Sequence, residues 1–416
     1  MKRVIPRTAV PIGNREVAAL SDKLLTSDGT DEQKISEFEE DFSKYLGVKD
    51  CYAFNQGRTA LYVALRALKL NPDAEVIVPA YTCAIVFEVI LRLGLKPVLV
   101  DVNPETYNID TELISKAVTS KTKVIVPVHL FGNPCEMDEI LETAKRFDLY
   151  VVEDAAQALG AEYKRAKVGT FGDLAVFSFG PGKSITSGEG GALAVNNTEL
   201  QENVSELKNE FKMPDFNWNL MLMRNILAMK IFSEEHLYGA IRGHLEESLV
   251  KGDEEIVENC IKLTRHGMYS SVRPTIKLSR MPAVSAVIAR MQLKKLDAIN
   301  RKRRRNADEL SKLLSNLTDY VQLPKISDNA VSTFTRYTVR LLRKRLALAA
   351  NMAKSGIDTE TPYNYLPGLF KALQVEAPNA RELATSTLTL PNHPLVESAD
   401  LIRIANTLSG ELRSSA

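Results

Sequence analysis

Between residues 50 and 200 two kinds of apolar pattern alternate along the chain. Short, nearly continuous runs of aliphatic and β-branched residues predict strands at Glu75–Pro79, Lys96–Val102, Thr122–Val128, Leu149–Glu153, Leu174–Phe179 and Ala192–Asn196. Between them lie stretches with helical spacing, the first strong one being Thr59–Leu70. The runs Pro97-Val98-Leu99-Val100 and Val124-Ile125-Val126-Pro127-Val128 show no polar alternation, as expected of strands covered by crossover helices on both faces. The pattern predicts an α/β layer built on a mostly parallel sheet, with its ligand site beyond the carboxyl ends of the strands. Asp154, Ser178 and His129 fall at or just past such ends.

Near residue 200 the alternation stops. Residues 201–275 carry helical stretches and a Met-rich segment, Asn217 through Met229. A long helix is predicted from Arg280 through Leu314, followed by strand signals at Thr333–Leu342, a helix at Leu346–Ser355 and turn-rich sequence around Pro362–Gly368. This reads as a large domain over residues 1–275, with 201–275 as an extra segment, and a smaller α+β domain over residues 276–416.

The chain of 416 residues is long enough for two domains and a large core. Lys plus Arg is 53 and Asp plus Glu is 52, so the charge balance points to no nucleic acid or other polyanionic partner. Cys51, Cys83, Cys135 and Cys260 are scattered without CxxC or metal-ligand spacing, which predicts a reduced, cytoplasmic protein with no metal site. The first residues have no apolar run of a signal peptide behind them, and no run reaches membrane-spanning length. The basic run Arg301-Lys302-Arg303-Arg304-Arg305 reads as a solvated helical face. The Met-rich segment is expected to pack in the core or at a subunit interface rather than lie on a membrane surface. Glu234, Glu235, Glu246 and Glu247 nearby would oppose anionic lipid.

One constellation carries chemistry. Lys183 sits in the glycine-rich stretch Phe177-Ser178-Phe179-Gly180-Pro181-Gly182-Lys183-Ser184, continuing to Gly188-Glu189-Gly190-Gly191, and Asp154 closes the apolar strand upstream. Alone, Lys183 would read as a solvated loop lysine and Asp154 as a helix cap. Together they match what pyridoxal 5'-phosphate requires: an amine for a Schiff base and a carboxylate that keeps the pyridine nitrogen protonated. Gln157, one helical turn after Asp154, is a candidate partner for the cofactor's phenolic oxygen. Gly57-Arg58-Thr59 opens the first strong helix, where free N–H groups and the helix dipole favour a phosphate, with Ser178 adding a hydroxyl and Arg58 a charge. By itself Thr59 would be an N-cap.

These residues resemble the DegT/DnrJ/StrS family of sugar aminotransferases, which are fold-type-I PLP enzymes. The resemblance spans residues 30–200 and 278–411. It rests on Glu75-Val76-Ile77-Val78-Pro79-Ala80-Tyr81-Thr82, Val100-Asp101-Val102-Asn103-Pro104-Glu105-Thr106-Tyr107, Pro127-Val128-His129-Leu130-Phe131-Gly132, Glu153-Asp154-Ala155-Ala156-Gln157, the Lys183 stretch and Leu388-Thr389-Leu390-Pro391-Asn392-His393-Pro394. It implies a mixed, mostly parallel seven-stranded sheet with helices on both faces. It also implies that Lys183 is the Schiff-base lysine, Asp154 the pyridinium partner, Gln157 the ring-oxygen contact, and Ser178, Arg58 and Thr59 the phosphate contacts. The implied activity moves an amino group from glutamate to a nucleotide-linked keto sugar, in a homodimer with composite active sites.

Some positions depart from the family pattern. Cys83 stands where a ring-stacking aromatic is common, leaving Tyr81 as the other candidate. Arg58 replaces a threonine. Leu278-Ser279-Arg280-Met281 stands where Asn-Tyr-Arg-Met is frequent, so Leu278 cannot make the asparagine's contact with the partner subunit's phosphate. Two other readings are a PLP-dependent sugar dehydratase, against which the lysine counts because such relatives carry histidine there, and a regulatory or structural protein that binds PLP without turnover. Tyr363, Asn364 and Tyr365 are candidates for a substrate loop.

Overall fold

The computed structural model describes residues 4–9, 11–25, 30–232, 238, 251–264, 277–343 and 346–414. Nine strands occupy the first half: β1 (Asp50–Phe54), β2 (Glu75–Pro79), β3 (Lys96–Val100), β4 (Thr122–Ile125), β5 (Tyr150–Asp154), β6 (Glu162–Tyr163), β7 (Ala166–Lys167), β8 (Leu174–Ser178) and β9 (Gly191–Val195). Seven of them form one sheet in the order β1-β9-β8-β5-β4-β2-β3. The five strands from β3 to β8 run parallel, while β9 is antiparallel to both β8 and β1. Side-chain alternation buries both faces of this sheet. Val76 and Val78 of β2 enter one core and Ile77 another; Leu174 and Val176 of β8 are likewise separated from Ala175 and Phe177.

In the first half the predicted strands are present, with β1, β6 and β7 in addition. The ladder outlasts β4, since Val126 N still donates to Ile77 O at 2.8 Å before Pro127. The helix predicted at Thr59–Leu70 spans Gly57–Ala67, preceded by helices Asn14–Leu25 and Asp31–Leu46. The single long helix expected from Arg280 is two, Ala283–Leu293 and Leu296–Leu314. At the break Lys295 pairs with the buried carboxylate of Glu16. Ala286, Ala289, Leu293 and Ile299 pack on the large sheet's core, whereas Ala307, Leu310 and Leu314 join a second one.

That second core belongs to an α+β unit. The antiparallel sheet has the order β10-β12-β13 (Val321–Gln322, Tyr337–Leu341, Thr387–Leu390), and β11 (Ala330–Val331) instead pairs with β6. Helices Leu296–Leu314, Leu346–Lys354 and Ser398–Ser414 cover it.

Of the extra segment, Phe216–Phe232 and residues 251–264 are helical. Leu222, Met223 and Ile226 of the Met-rich helix pack with Ile12, Leu20, Val284 and Ile288. Phe216, Leu220 and Ile231 are exposed. Glu234, Glu235, Glu246 and Glu247 lie outside the described residues. Among the described residues no helix is long and apolar enough to cross a membrane.

Candidate active site

Lys183 lies on the loop between β8 and β9. That loop is closed on itself: Ser187 N and Thr186 Oγ1 each donate to Phe179 O at 3.0 Å, and Phe179 N donates to Gly190 O at 2.9 Å. From outside, the buried Arg303 donates to the carbonyls of Ser184 (2.9 Å) and Lys183 (3.2 Å). The basic run is therefore not wholly a solvated face; the apolar side of its helix presents Arg303 to this loop. Burial, aided by the nearby charge of Arg336, pushes the Lys183 amine below its ordinary range, against an opposing pull from Asp154.

Asp154 is the last residue of β5 and is buried. Burial holds its carboxyl above the usual range, while a hydrogen bond from Ala156 N (3.0 Å) and the charge of Lys183 work the other way. No helix follows it. Residues 155–160 form turns, so the helix-cap reading fails and Gln157 is held in a turn rather than one helical turn on. Gln157 is fixed at both ends of its amide, accepting from Phe131 N at 3.3 Å and donating to Tyr363 Oη at 2.9 Å. His129 points elsewhere. Its Nδ1 accepts from Cys135 N at 3.0 Å, which leaves the proton on Nε2 to donate to buried Glu153 at 3.1 Å. Glu153 also accepts from the N–H groups of Gly169, Phe171 and Gly172 at 2.7, 2.8 and 2.7 Å, anchoring the turn behind β5.

The helix Gly57–Ala67 starts directly over the end of β8. A Cβ on Gly57 would lie 2.8 Å from Ser178 Cβ and 3.2 Å from Ser178 Oγ, so only glycine leaves the approach open. The N-cap is Gln56, which makes no side-chain cap bond; Thr59 Oγ1 instead donates to Asn55 Oδ1 at 2.8 Å. Thr59 is thus not the cap, and its hydroxyl secures the turn before the helix. Arg58 lies near Glu189, whose carboxyl is raised by burial and drawn back by Lys277 and Arg58.

Tyr81 and Cys83 differ in burial. Tyr81 is fully enclosed, its hydroxyl 2.8 Å from Thr387 Oγ1 and its ring edge-on to Tyr363. Cys83 is half-buried and lies in the electrostatic neighbourhood of Lys183, Arg336 and Tyr363. Leu278 packs against the core, while Asn55 holds the residues around it by bonds to Lys277 O (2.6 Å) and Ser279 O (3.2 Å). Tyr365 Oη accepts from Ala84 N at 3.1 Å, and Asn364 is exposed.

Lys183 thus stands within electrostatic reach of Asp154 and Arg336, Gln157 is bonded to Tyr363, which also neighbours Arg336, and Ser178 meets the helix start at Gly57. Arg336, Glu360 and Arg303 were not singled out from the sequence. The arrangement fits PLP: a lowered amine, a buried carboxylate with no ion-pair partner among the described residues, and a helix N-terminus opened by Gly57 onto a serine hydroxyl.

The sequence profile of the DegT/DnrJ/EryC1/StrS aminotransferase family matches residues 11–222 and 248–409. GDP-perosamine synthase of Caulobacter vibrioides is 38% identical over 56% of this chain and 66% of its own length. The dTDP-3-amino-3,4,6-trideoxy-alpha-D-glucose transaminase of Streptomyces venezuelae is 30% identical over 90% of this chain and 86% of its own. The matches span as little as 51% of the length of one curated relative and as much as 90% of another. Among solved structures, S. venezuelae DesV in complex with a ketimine intermediate superposes with a TM-score of 0.74 at 28% identity, covering 96% of this chain and 95% of that one. The chain belongs to the DegT/DnrJ/EryC1/StrS aminotransferase family, whose transaminases depend on PLP.

Proposed function

We propose that this chain transfers an amino group from glutamate to the keto group of a nucleotide-linked sugar, for the biosynthesis of a surface polysaccharide, glycolipid or secondary metabolite. The observation that supports the reading is Lys183, on the β8–β9 loop, within electrostatic reach of buried Asp154 at the end of β5, in a fold whose relatives include named nucleotide-sugar transaminases.

When bound, PLP supplies an aldehyde that takes up an amine and a ring that draws electrons from the adjoining carbon. Asp154 would sit against the pyridine nitrogen and hold its proton. Gln157 would face the ring oxygen. The N–H groups at the start of Gly57–Ala67, with Ser178 and Arg58, would hold the phosphate, and Cys83 would border the ring in place of an aromatic. Lys183 would anchor the cofactor and then, once released, act as general base at the donor's Cα and general acid at the sugar carbon. A lysine held below its ordinary pKa suits both roles. We take the working form to be a homodimer, with partner residues completing the sugar site.

A panel of nucleotide keto sugars incubated with glutamate tests this. Release of 2-oxoglutarate together with an aminated sugar nucleotide is expected for at least one member. Oxo-acid release with no sugar acceptor consumed would reject the substrate class, and no release from glutamate would reject the donor.

A further inference from the structure

After burial, the charge of Arg336 is the largest influence on Lys183, and the mechanism above does not use it. Its backbone is fixed to both walls of the cleft. Thr335 Oγ1 lies 3.1 Å from Ser184 Oγ, tying the residue before Arg336 to the residue after Lys183. On the other side Arg336 N donates to Phe131 O at 3.4 Å.

The guanidinium is incompletely matched. Nη1 pairs with Glu360 Oε1 at 3.1 Å, while Nε is buried and has no hydrogen-bond partner among the described residues. Glu360 is held by its main chain, which exchanges hydrogen bonds with Thr389 at 3.2 and 2.8 Å. A second carboxyl, Asp253 of the inserted 251–264 helix, is pushed up to about 6 by burial and by Glu360, with Arg336 opposing. Tyr363, Cys83 and Tyr81 are further polar neighbours of Arg336. A planar guanidinium presents its Nε and Nη hydrogens as a fork that a carboxylate fills with two parallel bonds. Here Glu360 takes Nη1, on the far side of the guanidinium, and the Nε hydrogen is open.

We propose that Arg336 is the positioning residue for the amino donor, receiving its α-carboxylate on the Nε edge and releasing Glu360. The inference rests on the transaminase reading above. The donor's Cα must come within reach of Lys183 for its proton to be moved, and its carboxylate is one bond from that carbon. A cation beside the amine is therefore where that carboxylate has to land. Its arrival would neutralise the charge that now depresses Lys183, making the amine a stronger base when the Cα proton is to be taken.

The test uses the holoenzyme and its Arg336→Gln, Arg336→Lys and Glu360→Gln variants. Binding of 2-methylglutamate, which has no Cα proton to lose, is followed by spectral titration. Separately, the aminated enzyme is reacted with the keto sugar. Arg336→Gln should weaken the analogue by about 30-fold or more, the scale of losing one member of a buried charge pair. Arg336→Lys should recover part of that loss, Glu360→Gln should bind the analogue more tightly than wild type, and the sugar's KM should stay within about twofold in all three. Unchanged analogue affinity in Arg336→Gln, equal losses in both half-reactions, or weaker binding in Glu360→Gln would overturn the assignment. A wild-type enzyme that releases no 2-oxoglutarate from glutamate would instead sink the transaminase reading, and this one with it.

Discussion

Arg303 Nη2 donates to the carbonyl oxygen of Lys183 at 3.2 Å, so the backbone of the candidate catalytic lysine hangs from a buried arginine of the C-terminal unit. Burial pulls the guanidinium down to about 10, well short of neutralising it near pH 7. Replacing it with methionine leaves two carbonyls without donors and should cost about 2–4 kcal/mol. Arg303→Lys, keeping one donor, should cost less. Urea midpoints at unchanged slope measure the loss, and a shifted visible band in the PLP-loaded variants would report displacement of Lys183.

Asp154 should behave in opposite ways with and without cofactor. Burial raises its carboxyl pKa in the fold, so between the unfolded and folded values the native state binds more protons. The apoprotein is favoured below that window and loses this contribution as pH rises through it. Asp154→Asn removes the cost, and apo Asp154→Asn should be the more stable protein at pH 8. The loaded variant should turn over about two to three orders of magnitude more slowly, the scale of losing one electrostatic partner in a site. Unfolding curves of the apoproteins at pH 5 and pH 8 check the first half, and turnover of the PLP-loaded Asp154→Asn variant checks the second.

Gly57→Ala tests the phosphate cradle. The new Cβ would meet Ser178 Cβ at 2.8 Å and Phe177 O at 3.2 Å, forcing the helix start off the strand end. PLP affinity, titrated into the apoprotein, should fall by about tenfold or more. Unchanged affinity would place the phosphate elsewhere.

The two faces of the Met-rich helix should respond differently. Leu222 and Ile226 crowd the turn at Gly188, where an added Cβ would lie 2.7 and 2.9 Å from them. Leu222→Ala should therefore cost about 2–4 kcal/mol and loosen the Lys183 loop. Leu220→Ala, on the 47% exposed face, should stay within about 0.5 kcal/mol. Equal costs would contradict this packing.

Much of this was legible beforehand, for reasons that differ by residue. The central strands announced themselves because burial on both faces demands unbroken aliphatic runs such as Val124 to Val128. β1 did not: Asp50 and Cys51 give no such run, and its place comes from antiparallel pairing with β9. The turn after Asp154 was read as a helix because Ala155-Ala156-Gln157-Ala158-Leu159 favours one. The bond from Ala156 N to the Asp154 carboxylate and the left-handed Gly160 (φ +83°) prevail instead. Arg303 was discoverable, since Leu296, Ile299, Asn300, Arg303, Ala307, Leu310 and Leu314 share one helical face, but a run of five basic residues drew attention to charge rather than to spacing. The Arg336–Glu360 pair was not. It joins two segments that no local period connects.

The most direct test of the account is to load the protein with PLP, reduce it with borohydride and map the modified peptide by mass spectrometry. The account predicts the phosphopyridoxyl group on Lys183 and its disappearance in Lys183→Ala. A label on another lysine, or none on a protein that still retains PLP, would contradict it.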